Sequence, residues 1–577
     1  MTAEPVRDQL WAAPSPMPVG PVAFDGLFGW FSPGINRRGV ILCGTLGYEQ
    51  LLAHRMWREL AGRIAATGCA CLRFDYPGEG DSADLGTGRL SDLTGAIRRA
   101  VRYMREQAGV EELVLIGLRL GGTFAALVAE EEAIDRLCLM SPFPSGRAYL
   151  REMTLQSRTL DRMADGSPIP HEPGSPIVGG FRLPPGLVDD LSGVNLARTG
   201  LPARHVLLMG ADPSALAARY EGLGAAVETA PFPGLAQVVG QALSGEIPHE
   251  DLAAVARFVA DGARPRPDAL RPPPAPARIS GEGWVEEPVS FGSGLFAILC
   301  RPPERRLGRP SVLFVNSGLN PRAGYGRQST ALARRLAALG VSTMRMDQRG
   351  VGDSPDRPDG TSPLYALDAV EELRAALDRL ESEGPGPIIV VGSCSGAHLA
   401  FHAARRDPRI AEVILLNLYA FVWEHSEDVE TVLRNRNRSV APYAAMIKRG
   451  ATWRRLMRGE IHVASIARAL ARTATARVRQ RATLASRSLL GRSVAGQIAG
   501  IRRRGGRVRL VYSRDDFGIG ELHAHLGHSP KRLARRLGRP VAILDGVDHN
   551  MSTLGAQERV YDILRDAIAT LDRSGSR

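Results

Sequence analysis

A cysteine held between two glycines is the residue of this sequence best placed to do chemistry. In Gly392-Ser-Cys394-Ser-Gly396 the apolar run Ile388-Ile-Val-Val precedes the motif, and Ala397-His-Leu-Ala-Phe-His-Ala-Ala follows it. The first segment reads as a buried strand and the second as a helix. Glycines on either side permit a tight, strained turn that lifts the central side chain off the sheet edge. A thiol at the first turn of a helix has its thiolate stabilised by the helix dipole, which suits it to attack a carbonyl. A buried structural cysteine is the competing reading, and the central position between the glycines favours the nucleophile.

A nucleophile needs a base, and the base needs an acid to orient it. His549, in Asp545-Gly-Val-Asp-His-Asn550, sits in the loop after the last predicted strand, and Asp516, in Val511-Tyr-Ser-Arg-Asp-Asp516, follows the strand before it. Asp515 is the alternative acid. The oxyanion formed on attack is expected to take the backbone N–H of Ser395 and one from Asn316-Ser-Gly-Leu319-Asn320, assigned to Leu319 with one residue of slack. His398 and His402 read as ordinary surface or packing residues of the helix after the motif. The remaining cysteines, Cys43, Cys69, Cys71, Cys138 and Cys300, form no CxxC pair and no zinc spacing. No metal site, disulfide scaffold or cofactor is therefore predicted.

The elements that must position these residues occur twice. Val40-Ile-Leu-Cys-Gly-Thr-Leu-Gly lies over Val312-Leu-Phe-Val-Asn-Ser-Gly-Leu at an offset of 272, which holds without a gap through Asp75–Ser82 and Asp347–Ser354. Pro21-Val-Ala-Phe pairs likewise with Pro288-Val-Ser-Phe, and Leu113-Val-Leu-Ile-Gly-Leu-Arg-Leu-Gly with Ile388-Ile-Val-Val-Gly-Ser-Cys-Ser-Gly. We place two domains at 18–262 and 279–573, joined by a Pro-rich linker over 263–278. In the second copy, Val312–Val315, Ser342–Met346, Ile388–Val391, Val413–Leu416, Val508–Tyr512 and Val541–Leu544 read as buried strands. Helical patterns such as Arg327–Leu339 and Ala366–Leu380 lie between them, so each copy is expected to be α/β, a mostly parallel sheet with helices on both faces.

The first copy departs from the catalytic pattern. Arg119 stands at the nucleophile position and Gln237 at the base position, while Asp212 survives at the acid position with nothing to orient. An arginine cannot attack a carbonyl. This half is predicted inactive, with Arg119 either salt-bridged internally or gripping an anionic ligand, and His249 a helix-start residue.

These residues resemble the α/β-hydrolase superfamily. Asp347-Gln-Arg-Gly-Val-Gly-Asp-Ser is similar to its D-x-R-G-x-G-x-S turn, and the likeness covers nearly all of both halves. More narrowly, the pair resembles the two exosortase-system-associated hydrolases, one with a Cys elbow as at Cys394, the other reading G-L-R-L-G as Gly117–Gly121 does. The resemblance implies intracellular enzymes linked to extracellular polysaccharide or acyl-group pathways. Dienelactone-type hydrolases are similar in using a Cys elbow. An acyl-processing hydrolase working through Cys394, His549 and Asp516 is the leading expectation. Acyl transfer to an alcohol, amine or thiol is the second, and a non-catalytic acyl-binding scaffold the third.

Length and composition agree with this organisation. The 577 residues suit several domains, and 44% apolar with 23% charged residues is globular. The N-terminus lacks a signal pattern and no apolar run approaches the ~18 residues of a membrane span, so a soluble, cytoplasmic protein is expected. The net charge of +12 is concentrated in residues 422–505, an insertion of the kind that makes a lid. It holds 18 basic against five acidic side chains. Val463, Ile466, Leu470, Ala474 and Val478 recur there at helical spacing, flanked by Arg468, Arg472, Arg477, Arg479 and Arg481. A solvated lid, a docking face for an acidic acyl carrier protein or anionic substrate, and a nucleic-acid or membrane surface are the readings. Poor aromatic interleaving disfavours the last, so neither nucleic acid nor stable membrane insertion is predicted.

Overall fold

Apolar runs without alternation, such as Ile388-Ile-Val-Val and Val413-Ile-Leu-Leu, suit strands covered on both faces. The computed structural model pairs them in parallel near the centre of a sheet. It describes residues 19–161, 167–169, 176–240, 246–271, 276–304, 308–423 and 493–575. Of the predicted lid, residues 424–492 lie outside the described residues, and the expected helix from Val463 to Val478 with them. The end of that insertion is the helix Val494–Arg503, whose Val494, Ile498 and Ile501 are buried in the second half's core, so this stretch covers the sheet rather than an open pocket.

There are two large sheets. The first runs Gly20–Phe24, Leu27–Ser32, Ala70–Phe74, Arg38–Cys43, Glu112–Leu118, Arg136–Met140, His205–Met209, Ala226–Ala230. The second runs Ile279–Gly281, Trp284–Phe291, Leu295–Arg301, Thr343–Met346, Ser311–Phe314, Ile388–Ser393, Ile410–Leu416, Arg507–Ser513, Ala542–Leu544. Each opens with antiparallel strands and continues in parallel. In both, the strand order reverses around the earliest parallel strand, Arg38–Cys43 or Ser311–Phe314. Loops leaving the carboxyl ends at such a reversal part from one another and open a crevice.

Alternation within the strands splits each core into two layers. Ile389, Val391 and Ile414 pack into one cluster of the second half, Val390, Val413 and Leu415 into the other. The helices Gln328–Ala338 and Ala369–Glu381 cover opposite layers through Leu332 and Leu336, and Leu373 and Leu377. Among the described residues no helix is long and apolar enough to cross a membrane. The Pro-rich joint is partly structured. Pro265–Leu270 pairs antiparallel, with shifted register, against Gly34–Asn36, where proline is tolerated because the ribbon has an open edge.

The halves meet through corresponding turns. Residues 73 and 345, 80 and 352, and 81 and 353 are counterparts at the offset of 272, and they exchange partners across the contact. Arg345 donates to Asp81 at 2.6 Å, and Arg73 to Asp353 at 2.5 Å. Thr330 Oγ1 donates to the carbonyl of Gly80 at 3.1 Å, and its counterpart Arg58 to that of Gly352 at 3.0 Å. Arg322 reaches Asp81, Asp347 and Asp353 at 2.6, 2.7 and 2.8 Å, and Glu286 receives both Arg334 and Arg345. The side chains of Arg322, Arg345, Asp81, Asp347 and Asp353 are all buried. Every charge is paired, as burial demands, because removing one member leaves its partner uncompensated. The reciprocity of the contacts is that of an isologous interface, here formed within one chain.

Candidate active site

The strand Ile388–Ser393 delivers Cys394 and the helix Ser395–Arg406 carries the chain away. Cys394 takes φ +51° and ψ −115°, a strained conformation for a side chain, and its N–H donates to the Leu416 carbonyl at 3.1 Å. The flanking glycines are required by space. A Cβ on Gly396 would stand 2.2 Å from the Asn316 carbonyl oxygen, and one on Gly392 would stand 2.3 Å from that of Gly396.

Asp516 and His549 arrive from the two neighbouring loops. The buried carboxylate of Asp516 holds His549 Nδ1 at 2.6 Å with one oxygen and accepts the Gly518 N–H at 2.8 Å with the other. Asp515 is exposed, which decides between the two acids in favour of Asp516 as the partner of His549. The His549 imidazole and the Cys394 thiol act on one another's ionisation. Burial of the thiol opposes ionisation. The hydrogen bond and charge of His549, the Tyr365 hydroxyl and the Ser395 amide outweigh it and hold the thiol below its ordinary value. Burial likewise opposes the imidazolium, but Asp516 and Cys394 raise His549 well above the usual histidine range. Both shifts favour the thiolate–imidazolium form of the pair.

Two residues that sequence reasoning missed complete the arrangement. Tyr365, itself at φ +59°, places its hydroxyl 3.8 Å from Cys394 Sγ and stacks on Trp423 with centroids 4.1 Å apart. Nothing in the sequence around it is periodic, so no signal pointed to it. Asn417, at φ +43°, donates to Ser513 Oγ at 2.9 Å and to the His549 carbonyl at 2.8 Å, and accepts the Ser513 N–H at 2.8 Å. It thereby ties the strand ends that precede Asp516 and His549. A polar residue ending the run Val413-Ile-Leu-Leu was its available signal.

The other predicted positions are also located. The loop amide that reaches the elbow is that of Gly318, which donates to Ser395 Oγ at 2.9 Å, and Leu319 lines a cavity facing the first half. His398 and His402 are buried, so neither is a surface residue. They meet the carbonyls of Ala420 and Phe421 at 2.8 and 3.0 Å and hold the segment that carries Trp423. Burial lowers His402 to about 3, so it packs as a neutral ring.

The first half keeps the elbow with an arginine on it. Arg119 adopts φ +55° and ψ −121°, and its N–H donates to Met140 as that of Cys394 does to Leu416. Its guanidinium is buried against Glu49 at 3.0 and 3.1 Å, contacts Glu152, and lies 4.2 Å from the Phe143 ring centroid. The internal salt bridge is therefore the outcome, and the alternative of a free cation awaiting an anion is excluded by those two carboxylates. Asp212 and Gln237 are exposed, Asp212 bonding Ser214, and His249 starts the helix His249–Ala260. Among the described residues no group of three or more His, Cys, Asp or Glu is placed to hold a metal ion.

Each half also borders its neighbour's crevice. A cavity of about 250 Å³ beside Leu319–Pro321 and Gly350–Gly352 is walled by Leu51, Leu52, Arg55 and Gln237 of the first half. A cavity of about 320 Å³ beside Leu46–Glu49 and Gly78–Glu79 is walled by Arg327, Ser552 and Gln557 of the second.

Comparison with known proteins agrees with this architecture. A model described as an alpha/beta hydrolase family matches residues 312–563, and one described as an alpha/beta hydrolase fold matches residues 40–173. No curated protein matches the sequence. Similar solved structures include alpha/beta hydrolase domain-containing protein 10 from mouse, at 16% identity, covering 50% of this chain and 99% of that one with a TM-score of 0.28. Proline iminopeptidase from Mycobacterium smegmatis shares 16% identity over 50% and 99% of the chains with a TM-score of 0.31. Est1E from Butyrivibrio proteoclasticus, solved with ferulic acid, shares 18% over 42% and 96%, also at 0.31. With a matched model on either side of the joint and one sheet order used twice, the chain carries the α/β-hydrolase fold twice in tandem.

Proposed function

We propose that the second half is an acyl-processing hydrolase that cleaves an ester or thioester through an acyl-enzyme on Cys394. The observation that carries this reading is the Asp516–His549 hydrogen bond in a half whose elbow strains a thiol into φ +51° and whose imidazole favours the thiolate. The Cys394 thiolate attacks the acyl carbonyl, and the oxyanion takes the Ser395 N–H and an amide of the Gly318–Leu319 loop. As the tetrahedral species collapses, the imidazolium of His549 protonates the departing alcohol or thiol. Water then attacks the acyl-thioester, His549 takes its proton, and release of the acid restores the thiolate. Asp516 holds the ring and its charge throughout.

Transfer to an amine, thiol or alcohol is the second reading. It is favoured by the cavity that the first half walls beside the Leu319 loop, which offers an acceptor a place shielded by both halves. A carrier-bound acyl group is the donor this reading proposes, and the basic segment 422–505 its docking face. The Cys and Arg elbows support a place near the exosortase-system hydrolases, in cytoplasmic acyl metabolism. A scaffold that only binds acyl groups would have no use for the Asp516–His549 pair.

Intact-protein mass spectrometry with a panel of acyl thioesters and esters tests the proposal. An adduct mapped to Cys394, absent in Cys394→Ala and His549→Ala, is expected. Adducts that persist in Cys394→Ala overturn it. Adding water, amine or thiol to the trapped species separates hydrolysis from transfer.

A further inference from the structure

The first half has lost its nucleophile without filling the space that a substrate would use. Its cavity of about 320 Å³ could hold roughly ten waters at about 30 Å³ each. It lies at the same place in the first half as the cavity beside Leu319–Pro321 does in the second. Leu46–Glu49 and Gly78–Glu79, which line it, are at the offset of 272 the counterparts of Gly318–Pro321 and Gly350–Val351 beside the second half's cavity. A crevice with no reaction to serve would be expected to close by packing, since unfilled apolar space costs stability.

The lining defines what fits. Leu46, Leu93, Met153, Val178, Leu183 and Leu187 make most of it apolar. The buried polar residues on the wall are Glu49, Tyr149 and Ser552, with Glu79 half-buried beside them. Both Glu49 oxygens are engaged, one by Arg119 and the other by Thr45 Oγ1 at 3.1 Å. Arg327, half-buried, spends its guanidinium on Gly80, Ser82 and Asp84, and Arg182 is also half-buried. Glu79 accepts the Gly47 N–H at 2.9 Å with one oxygen. Burial pushes its carboxyl up to about 7, so near neutrality it both donates and accepts. A hydroxyl group answers such a partner in either state, whereas a carboxylate would set a like charge against the ionised form of Glu79.

We propose that this cavity is a binding site for one neutral, medium-sized apolar molecule bearing a hydroxyl group, seated with its hydroxyl on Glu79. The inactive half is then a ligand-binding domain. Its occupant lies against Ser552, three residues after His549, whose N–H is held by Asp548 at 2.7 Å.

The test is calorimetric titration of the full chain at pH 8 with 1-decanol and with decanoate. The expected result is one decanol per chain, bound at least tenfold more tightly than decanoate. Met153→Trp fills the cavity and should weaken decanol at least tenfold, with folding checked by circular dichroism and by retained alkylation of Cys394. Glu79→Gln is nearly isosteric and needs no repacking, and removing this charge should narrow the gap between the two ligands severalfold. Decanol binding unchanged in a folded Met153→Trp overturns the proposal. So does decanoate binding as tightly as decanol, or a gap that Glu79→Gln leaves intact.

Discussion

The two elbows have nearly the same backbone and opposite chemistry. Arg119 and Cys394 differ by 4° in φ and 6° in ψ, and each is fixed by a following helix and by glycines with no room for a Cβ. What separates them is the surroundings. Cys394 meets His549, backed by a buried carboxylate, whereas Arg119 meets two carboxylates directly. The strained turn is thus a property of the fold. It presents whatever side chain occupies it, and reactivity comes from the loops at the other strand ends.

The largest effects should come from breaking the armed side. Cys394→Ala and His549→Ala are each expected to lower acyl turnover by at least about 10³-fold, read as single-turnover adduct formation. The pH dependence of alkylation by iodoacetamide sharpens this. Because Cys394 sits below its ordinary value and His549 well above its own, the wild type should alkylate at lower pH than an ordinary cysteine. Reactivity should fall as pH drops through the lowered thiol value. Asp516→Asn should move that acid limb upward, and an unmoved limb would show that the ion pair is not what ionises the thiol.

Next comes the contact that holds the halves together. Asp81→Ala leaves Arg345 and Arg322 short of a buried partner, and a loss of about 3–5 kcal/mol in urea unfolding is expected. Residues 279–577 alone should be poorly soluble, because separation uncovers apolar surface such as Phe296, which packs on Trp30 of the first half. A soluble, active fragment would overturn that. Asn417→Ala removes a tie between the Asp516 and His549 loops and should cost kcat about tenfold with KM little changed. Tyr365→Phe, which deletes one hydroxyl near the sulfur, should cost only a few-fold.

The smallest expected change is the most direct comparison of the elbows. Arg119→Cys puts a thiol on the same turn with Glu49 beside it and no base, so no acyl adduct should form there. An adduct mapped to residue 119 would mean that the elbow alone suffices.

The fold was legible because both of its signals are local. Unbroken apolar runs such as Val413–Leu416 mark strands covered on both faces, and the repeat at offset 272 doubled every inference. The armed site was legible for a related reason, since Gly392–Gly396, Asp516 and His549 each sit next to a strand end. Asp516 needed the structure to separate it from Asp515, because one residue at a loop start decides between burial and solvent. Tyr365 and Asn417 act across loops whose approach no local pattern encodes. The exchange of Arg345 and Arg73 between Asp81 and Asp353 was hidden more thoroughly. Each pair spans more than 260 residues, and the arginines lie in otherwise apolar strands that gave no reason to look for a partner.

That exchange has a consequence for how such a chain can change. In a symmetric homodimer a mutation appears in both copies, so converting a nucleophile to arginine would silence both sites at once. Here the copies share one polypeptide, their encounter does not depend on concentration, and a substitution is felt on one side only. One copy can then abandon turnover while still supplying Arg73, Asp81 and part of the wall of its neighbour's cavity. Covalent union turns a redundant subunit into a permanent accessory.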